Sequence, residues 1–178
     1  RFDDLRFAAN GMSRANSLVG QPASRRGDAG LWAVFEQQLY KVPRSDDCGI
    51  GFFTRLSSSP SPASLIDFYA DVGLEFIGLN QARPEDKFGI AAGYAHVARH
   101  AQALDADLAA INAAWPRRSF ESLLTAVYQY QVRDGWTLQP NFQYIIRPGG
   151  GATDPLGSAP GRVLHNASVL GLRTTLKF

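Results

Sequence analysis

Between residues 65 and 78 the chain changes sides at every step. The odd positions read Leu65, Asp67, Tyr69, Asp71, Gly73, Glu75 and Ile77, and the even positions read Ile66, Phe68, Ala70, Val72, Leu74, Phe76 and Gly78. A period of two gathers the six even-numbered apolar side chains onto one face of a strand, whereas a helix would scatter them around its cylinder. The pattern returns in Trp136, Leu138, Pro140, Phe142, Tyr144 and Ile146, set against Thr137, Gln139, Asn141, Gln143 and Arg147 with one break at Ile145. Just before it, Leu124, Ala126, Tyr128, Tyr130 and Val132 alternate with Thr125, Val127, Gln129, Gln131 and Arg133, and Asp134-Gly135 joins the two runs. Asp-Gly between alternating runs is a hairpin signal.

The last residues alternate too, with Leu170, Leu172, Thr174, Leu176 and Phe178 against Gly171, Arg173, Thr175 and Lys177. Weaker strands are readable at about 31–40, 49–57 and 87–97, with a further stub at about 1–8. These runs extend over roughly 9–15 residues, longer than the usual globular strand of about 5–6 and suited to a tilted strand crossing a bilayer.

Composition removes the competing classes. At 178 residues the chain holds one domain or a piece of one, and a net charge of +2 gives no argument for nucleic acid as a partner. A single cysteine, Cys48, and three scattered histidines supply neither an internal disulfide nor a zinc site, so no metal and no cofactor are expected. No apolar run reaches the 18 or so residues of a transmembrane helix. The mean hydropathy of -0.16 is also what a membrane β-barrel yields, because half of each strand faces a polar lumen. Arg1-Phe2-Asp3-Asp4 shows no signal peptide, so the expectation is a chain whose beginning is missing.

The connections sort by length. If residue 178 lies at the periplasmic end, 148–161, 98–119 and 9–30 are outer loops, while 134–135 and 80–86 are periplasmic turns, which matches the asymmetry of outer-membrane barrels. Residues 57–64 form a shorter outer connection of turn-forming serines and prolines. Leu104, Leu108, Ile111 and Trp115 recur at helical spacing before Pro116, which predicts a short amphipathic helix within an outer-loop insertion over 98–118. It would serve as a lid or constriction, or pack on the rim.

A sheet with one apolar face also suits a soluble sandwich or a lipocalin-like barrel. The polar face here is rich in Gln, Asn, Arg, Asp, Glu and Gly but poor in Lys. The apolar face carries Phe68, Phe76, Phe88, Tyr94, Tyr128, Tyr130, Trp136 and Tyr144 near strand ends, as aromatic girdles would. In lipid every backbone polar group must be paired, so such a barrel must close. Seven or eight strands make either a small closed barrel or the C-terminal half of a roughly sixteen-stranded pore.

Several segments carry a family resemblance. They are Leu65-Ile66-Asp67-Phe68-Tyr69-Ala70-Asp71-Val72-Gly73-Leu74, Gly78-Leu79, Arg83-Pro84-Glu85-Asp86, Gly89-Ile90-Ala91-Ala92-Gly93-Tyr94, Leu138-Gln139-Pro140-Asn141-Phe142-Gln143-Tyr144-Ile145 and Arg147-Pro148-Gly149-Gly150, followed by Gly171-Leu172-Arg173 and Phe178. Together, over about residues 31–178, they resemble the carbohydrate-selective porins of bacterial outer membranes. Members of that family are more than twice as long, so the chain reads as the C-terminal part of such a barrel, an all-β transmembrane antiparallel fold.

The resemblance implies an integral outer-membrane location and passive diffusion of saccharides through a hydrated lumen. Its partners would be sugars or other small hydrophilic solutes, outer-membrane lipid and the barrel assembly machinery, with self-association or association with other chains left open. The pore-lining candidates are Glu36, Arg55, Asp67, Tyr69, Asp71, Glu75, Lys87, Glu121, Gln129, Gln131, Gln139, Asn141, Gln143, Arg147 and Arg173. Three carboxylates on one strand, Asp67, Asp71 and Glu75, demand water or arginine partners, and Arg55 on the neighbouring strand is the natural one. Phe178 is the expected assembly signal.

No enzyme is expected. His96, His100 and His165 have no spaced partner, the glycines at 149–151 do not lead from a strand into a helix, and no carboxylate pair is marked as opposed across a cleft. A general small-solute porin and a non-transporting barrel that anchors or recognises a partner are the alternatives.

Overall fold

The computed structural model describes the chain apart from residues 19, 44, 46, 79, 81, 155–160 and 178. Among the described residues, seven antiparallel strands run in sequence order through one sheet: β3 (Leu31–Lys41), β4 (Gly49–Ser58), β5 (Ile66–Ile77), β6 (Lys87–Val97), β7 (Phe120–Arg133), β8 (Trp136–Ile146) and β9 (Ala167–Leu176). Sequential neighbours pairing up and down is the meander topology of membrane barrels. The stub at the start does not join this wall. It is β1 (Phe2–Ala8), which pairs instead with β2 (Pro22–Arg25) in a separate hairpin. Asp3-Asp4 and the short partner Pro22–Arg25 give it no run of alternating residues long enough to enter the sheet.

The antiparallel order places the described residues of 1–30, 59–65, 98–119 and 147–166 at one end of the sheet and those of 42–48, 78–86 and 134–135 at the other. The long connections brace one another through backbone bonds. The N–H of Leu5 donates to Pro62 O at 3.0 Å, that of Ala98 to Leu65 O at 2.8 Å and that of Ser119 to Gly150 O at 2.9 Å. The glycines at 149–151, expected within an outer loop, are part of this bracing. All three have positive φ, Gly150 is buried, and a Cβ on it would lie 2.7 Å from Val97.

Helix α1 (Arg99–Ile111) lies in the connection between β6 and β7. Its most buried residues are Ala101 and Asp105, whereas Ile111 is exposed and Trp115 lies beyond the helix, so the inward stripe differs from the apolar one predicted. The reason is electrostatic. Asp105, fully buried, accepts bonds from the backbone and guanidinium of Arg118 and from Trp115 Nε1, and a charge so enclosed must face its partners. The carboxylate raises the Arg118 pKa against the opposing effect of burial. The helix rests on the β1–β2 hairpin through Arg6–Asp107 at 2.9 Å and an edge-on contact of Phe7 with His100. The Arg6 and Ser13 bonds hold the Asp107 pKa down. Asp4, also fully buried, would titrate higher through burial alone, but the N–H groups of Phe7 and Arg6 and the Arg25 guanidinium outweigh it and lower its pKa.

A different cluster locks the short-turn end. Asp86 pairs with Arg83 at 2.5 Å, accepts the Tyr128 phenol at 2.5 Å and the Gln131 N–H at 2.9 Å, while Arg83 donates to Gln131 O and stacks 3.9 Å from the Tyr130 ring centroid. The Arg83 bond above all takes the Asp86 pKa down to about 2. Beneath the same turn, Gly78 at φ 56° touches the buried Cys48, and a Cβ there would lie 2.4 Å from both Cys48 Sγ and Pro84 O.

Candidate pore-lining face

Cross-strand register decides which side chains share a face. Arg55 pairs with Asp71 and Asp71 with Gly93; Glu75 lies between Gly51 and Gly89; Lys87 faces Gln129; Asn141 lies between Val127 and Gly171; Gln143 faces Thr125; Gln139 faces Arg173. Directly paired residues project to the same side, so most of the candidates come together on one hydrophilic face.

Its best-built feature is centred on Asp71, whose side chain is 6% exposed. Arg55 donates from Nε to Oδ1 at 3.1 Å and lies 2.9 Å from Oδ2 through its terminal nitrogen, and the Tyr69 hydroxyl donates to Oδ2 at 2.8 Å. Both carboxylate oxygens are therefore occupied. Arg55, 59% exposed, keeps its remaining N–H donors turned to solvent. The face offers donors more than it offers a bare negative charge.

The remaining candidates divide. Glu75, Lys87, Gln129 and Gln139 line one hollow of about 330 Å³, and Glu36 and Glu75 line its neighbour of about 320 Å³. The Asn141 side chain lies over Gly171, where a Cβ would meet it at 2.7 Å. Arg173 is exposed on β9.

Asp67 turns to the rim. It bonds His96 Nδ1 at 2.6 Å and accepts from Arg99 N–H at 3.3 Å, so His96 does have a spaced partner, supplied by a strand 29 residues away. Gln131 uses its backbone on the Asp86 cluster and its amide on Arg133 O. Glu121 accepts from Gly149 N–H at 2.6 Å. Arg147 lies past the end of β8 at φ 56°, stacked 5.2 Å from the Phe120 ring. Phe178 lies outside the described residues. Reading by residue type missed Phe53, which shares the Arg55 side of β4 and borders both hollows. The parity of β4 was the available signal.

The opposite face is apolar and exposed. Phe68, Val72, Leu124 and Phe142 are 40–48% exposed although each is flanked by paired strands. Aromatic rings gather in two bands, Phe68–Tyr94–Phe120 near the long connections and Phe76–Phe88 beside Tyr128 near the short turns. From Phe68 to Phe76 is about 26 Å of strand, or about 20 Å along the membrane normal at a tilt of about 40°. Ala70, Val72, Leu74, Ile90, Ala92, Leu124 and Ala126 fill the interval, with no charged residue between the two bands on that face among the described residues. An exposed apolar belt between two aromatic rims is a lipid-facing wall.

The family model for the carbohydrate-selective porin, OprB family, matches residues 1–178. The chain belongs to this family. It is thus a channel-family chain and not an enzyme, and it forms part of an integral β-barrel of the bacterial outer membrane. It is 27% identical to Porin B of Pseudomonas aeruginosa over 142 residues, 75% of this chain and 31% of that protein. The structure titled "High pH structure of Pseudomonas putida OprB" superposes with a TM-score of 0.86 at 26% identity, covering 99% of this chain and 41% of that one. The low-pH structure of the same protein has the same general fold at a TM-score of 0.50 and 23% identity, over 82% of this chain and 36% of that one. The chain spans about a third of the length of the curated relative it matches.

Proposed function

We propose that the seven strands are one section of the wall of a water-filled outer-membrane pore through which saccharides diffuse passively. Strands β3 and β9, at the two edges of the sheet, are continued by further strands of the same barrel, since an unpaired edge has no place in hydrocarbon. The end with long connections lies outside the cell, and the 98–118 insertion with α1 sits on that rim.

The observation that carries the reading is the balance of the hydrophilic face. Glu36, Asp71, Glu75 and Glu121 are interleaved with Arg55, Lys87 and Arg173 and separated by Gln129, Gln139, Asn141 and Gln143. Such a wall has little net field to favour an ion of either sign. It has many donors and acceptors for which a hydroxyl-rich neutral solute can exchange water. The matched family, the relative and the solved structure support the same assignment. Single-channel current through the complete barrel in planar bilayers, with and without sugars, tests it. Open-channel current that glucose reduces in a concentration-dependent way is expected. Current indifferent to sugars would favour a general small-solute pore, and absence of current would refute both.

A further inference from the structure

The hydrophilic face carries one phenyl ring whose placement its charge balance does not explain. Phe53 pairs with Glu36 on one side and Gly73 on the other, on the face of Arg55 and Asp71. Its ring lies across Gly73, where a Cβ would stand 2.4 Å from Cζ and 2.5 Å from Cε1. Any larger residue at 73 would lift the ring off the wall. The ring is half-buried, separates the two hollows that Glu75 joins, and has the Arg55 guanidinium 5.6 Å from its centroid.

We propose that Phe53 is a stacking platform for the ring of a pyranose, a subsite along the wall that reads the apolar C–H face of a cyclic sugar while neighbouring polar groups take its hydroxyls. This rests on the saccharide-pore reading and narrows it to cyclic sugars. The chemistry matches a pyranose in two respects. A pyranose presents an apolar C–H face and a polar rim, and Phe53 presents a flat apolar surface edged by the N–H donors of Arg55, the Glu75 carboxylate and the Lys87 ammonium. Each hollow is at the lower end of the size range of small-ligand sites, about 300–1,000 Å³. An acyclic polyol of the same hydroxyl content has no such flat face and gains little from the ring.

The ring also covers a glycine, a contact that stabilises sheets without any ligand. The test therefore compares solutes. In the complete barrel, the sugar concentration that halves the open-channel current is measured for glucose and for sorbitol in wild type, Phe53→Leu and Phe53→Tyr. We expect Phe53→Leu to raise the glucose value by about two- to tenfold and leave the sorbitol value unchanged. Phe53→Tyr retains the glucose value. Equal changes for glucose and sorbitol, or no change for either, overturn the platform while leaving the pore reading intact. A wild-type channel that no sugar reduces overturns both.

Discussion

Asp86 holds the short-turn end by charge, and its removal has a cost that depends on pH. The carboxylate is 6% exposed and bonded to Arg83, Tyr128 and the backbone of Gln131, tying the turn after β5 to β7. Asp86→Asn keeps the volume and removes the charge. Hydrogen bonds to charged groups contribute about 1.5–3 kcal/mol each. Arg83 is one-third exposed and regains water when its partner is lost, so the net cost at neutral pH is about 1–3 kcal/mol.

The pKa of Asp86 falls from an ordinary 3.8 when unfolded to about 2 when folded. A lowered folded pKa contributes stability that is complete above about pH 4 and is lost as pH falls towards about 2. The shift corresponds to about 2.5 kcal/mol unscreened, and to on the order of 1 kcal/mol once Arg83's exposure is discounted. Urea unfolding of the complete barrel in lipid vesicles, followed by tryptophan fluorescence for wild type and Asp86→Asn, measures the difference at each pH, where the other carboxylates cancel. The gap should hold from pH 7 to pH 5 and narrow by about 1 kcal/mol at pH 2. A gap that is constant down to pH 2, or absent at pH 7, would refute this account of the turn.

The two faces predict opposite outcomes for neighbouring residues. Val72→Arg sets a charge against lipid at a cost of about 2–4 kcal/mol near the midplane and should sharply reduce the folded band on unheated gels, whereas Asp71→Ala should insert normally. Asp71→Ala leaves Arg55 uncompensated on the hydrophilic face, so the reversal potential in a salt gradient should shift towards anion preference; an unchanged potential would remove Arg55 from the conduction path. Gly78→Ala combines a left-handed φ with a Cβ 2.4 Å from Cys48 Sγ and should destabilise the barrel by about 1–3 kcal/mol, read as a lower urea midpoint.

The strands were legible because lipid enforces their pattern. With hydrocarbon on one side and water on the other, each strand from β5 onward had to alternate, and Phe68, Val72 and Phe142 show on their exposed face the period that the sequence shows in one dimension. The hairpin at Asp134-Gly135 was legible for a local reason, the positive φ of 75° that Gly135 adopts. The rim was not. Its stability rests on charges with distant partners, such as Asp4 with Arg25 and Asp105 with Arg118, and such pairs leave no period to read. The apolar spacing at Leu104, Leu108 and Ile111 pointed to the helix correctly but misassigned its buried side.

The hydrophilic face was legible as a set and opaque as a geometry. Asp67, Asp71 and Glu75 are equivalent in a period-two reading, and only the register between β4 and β5 decides that Arg55 meets Asp71 while Asp67 is left to His96. A slip of two residues would keep every side chain on its face and give Arg55 a different partner. Register is fixed by the turns at the ends, which would give the Asp86 cluster a bearing on the proposed pore although it lies outside the hydrophilic face. By pinning the start of β6 to β7, it also sets which amide stands opposite Lys87. A variant that loosens Asp86 should therefore alter sugar passage as well as stability. A local loss of the Phe53 ring should alter glucose passage and leave the pH dependence of stability as it is in wild type.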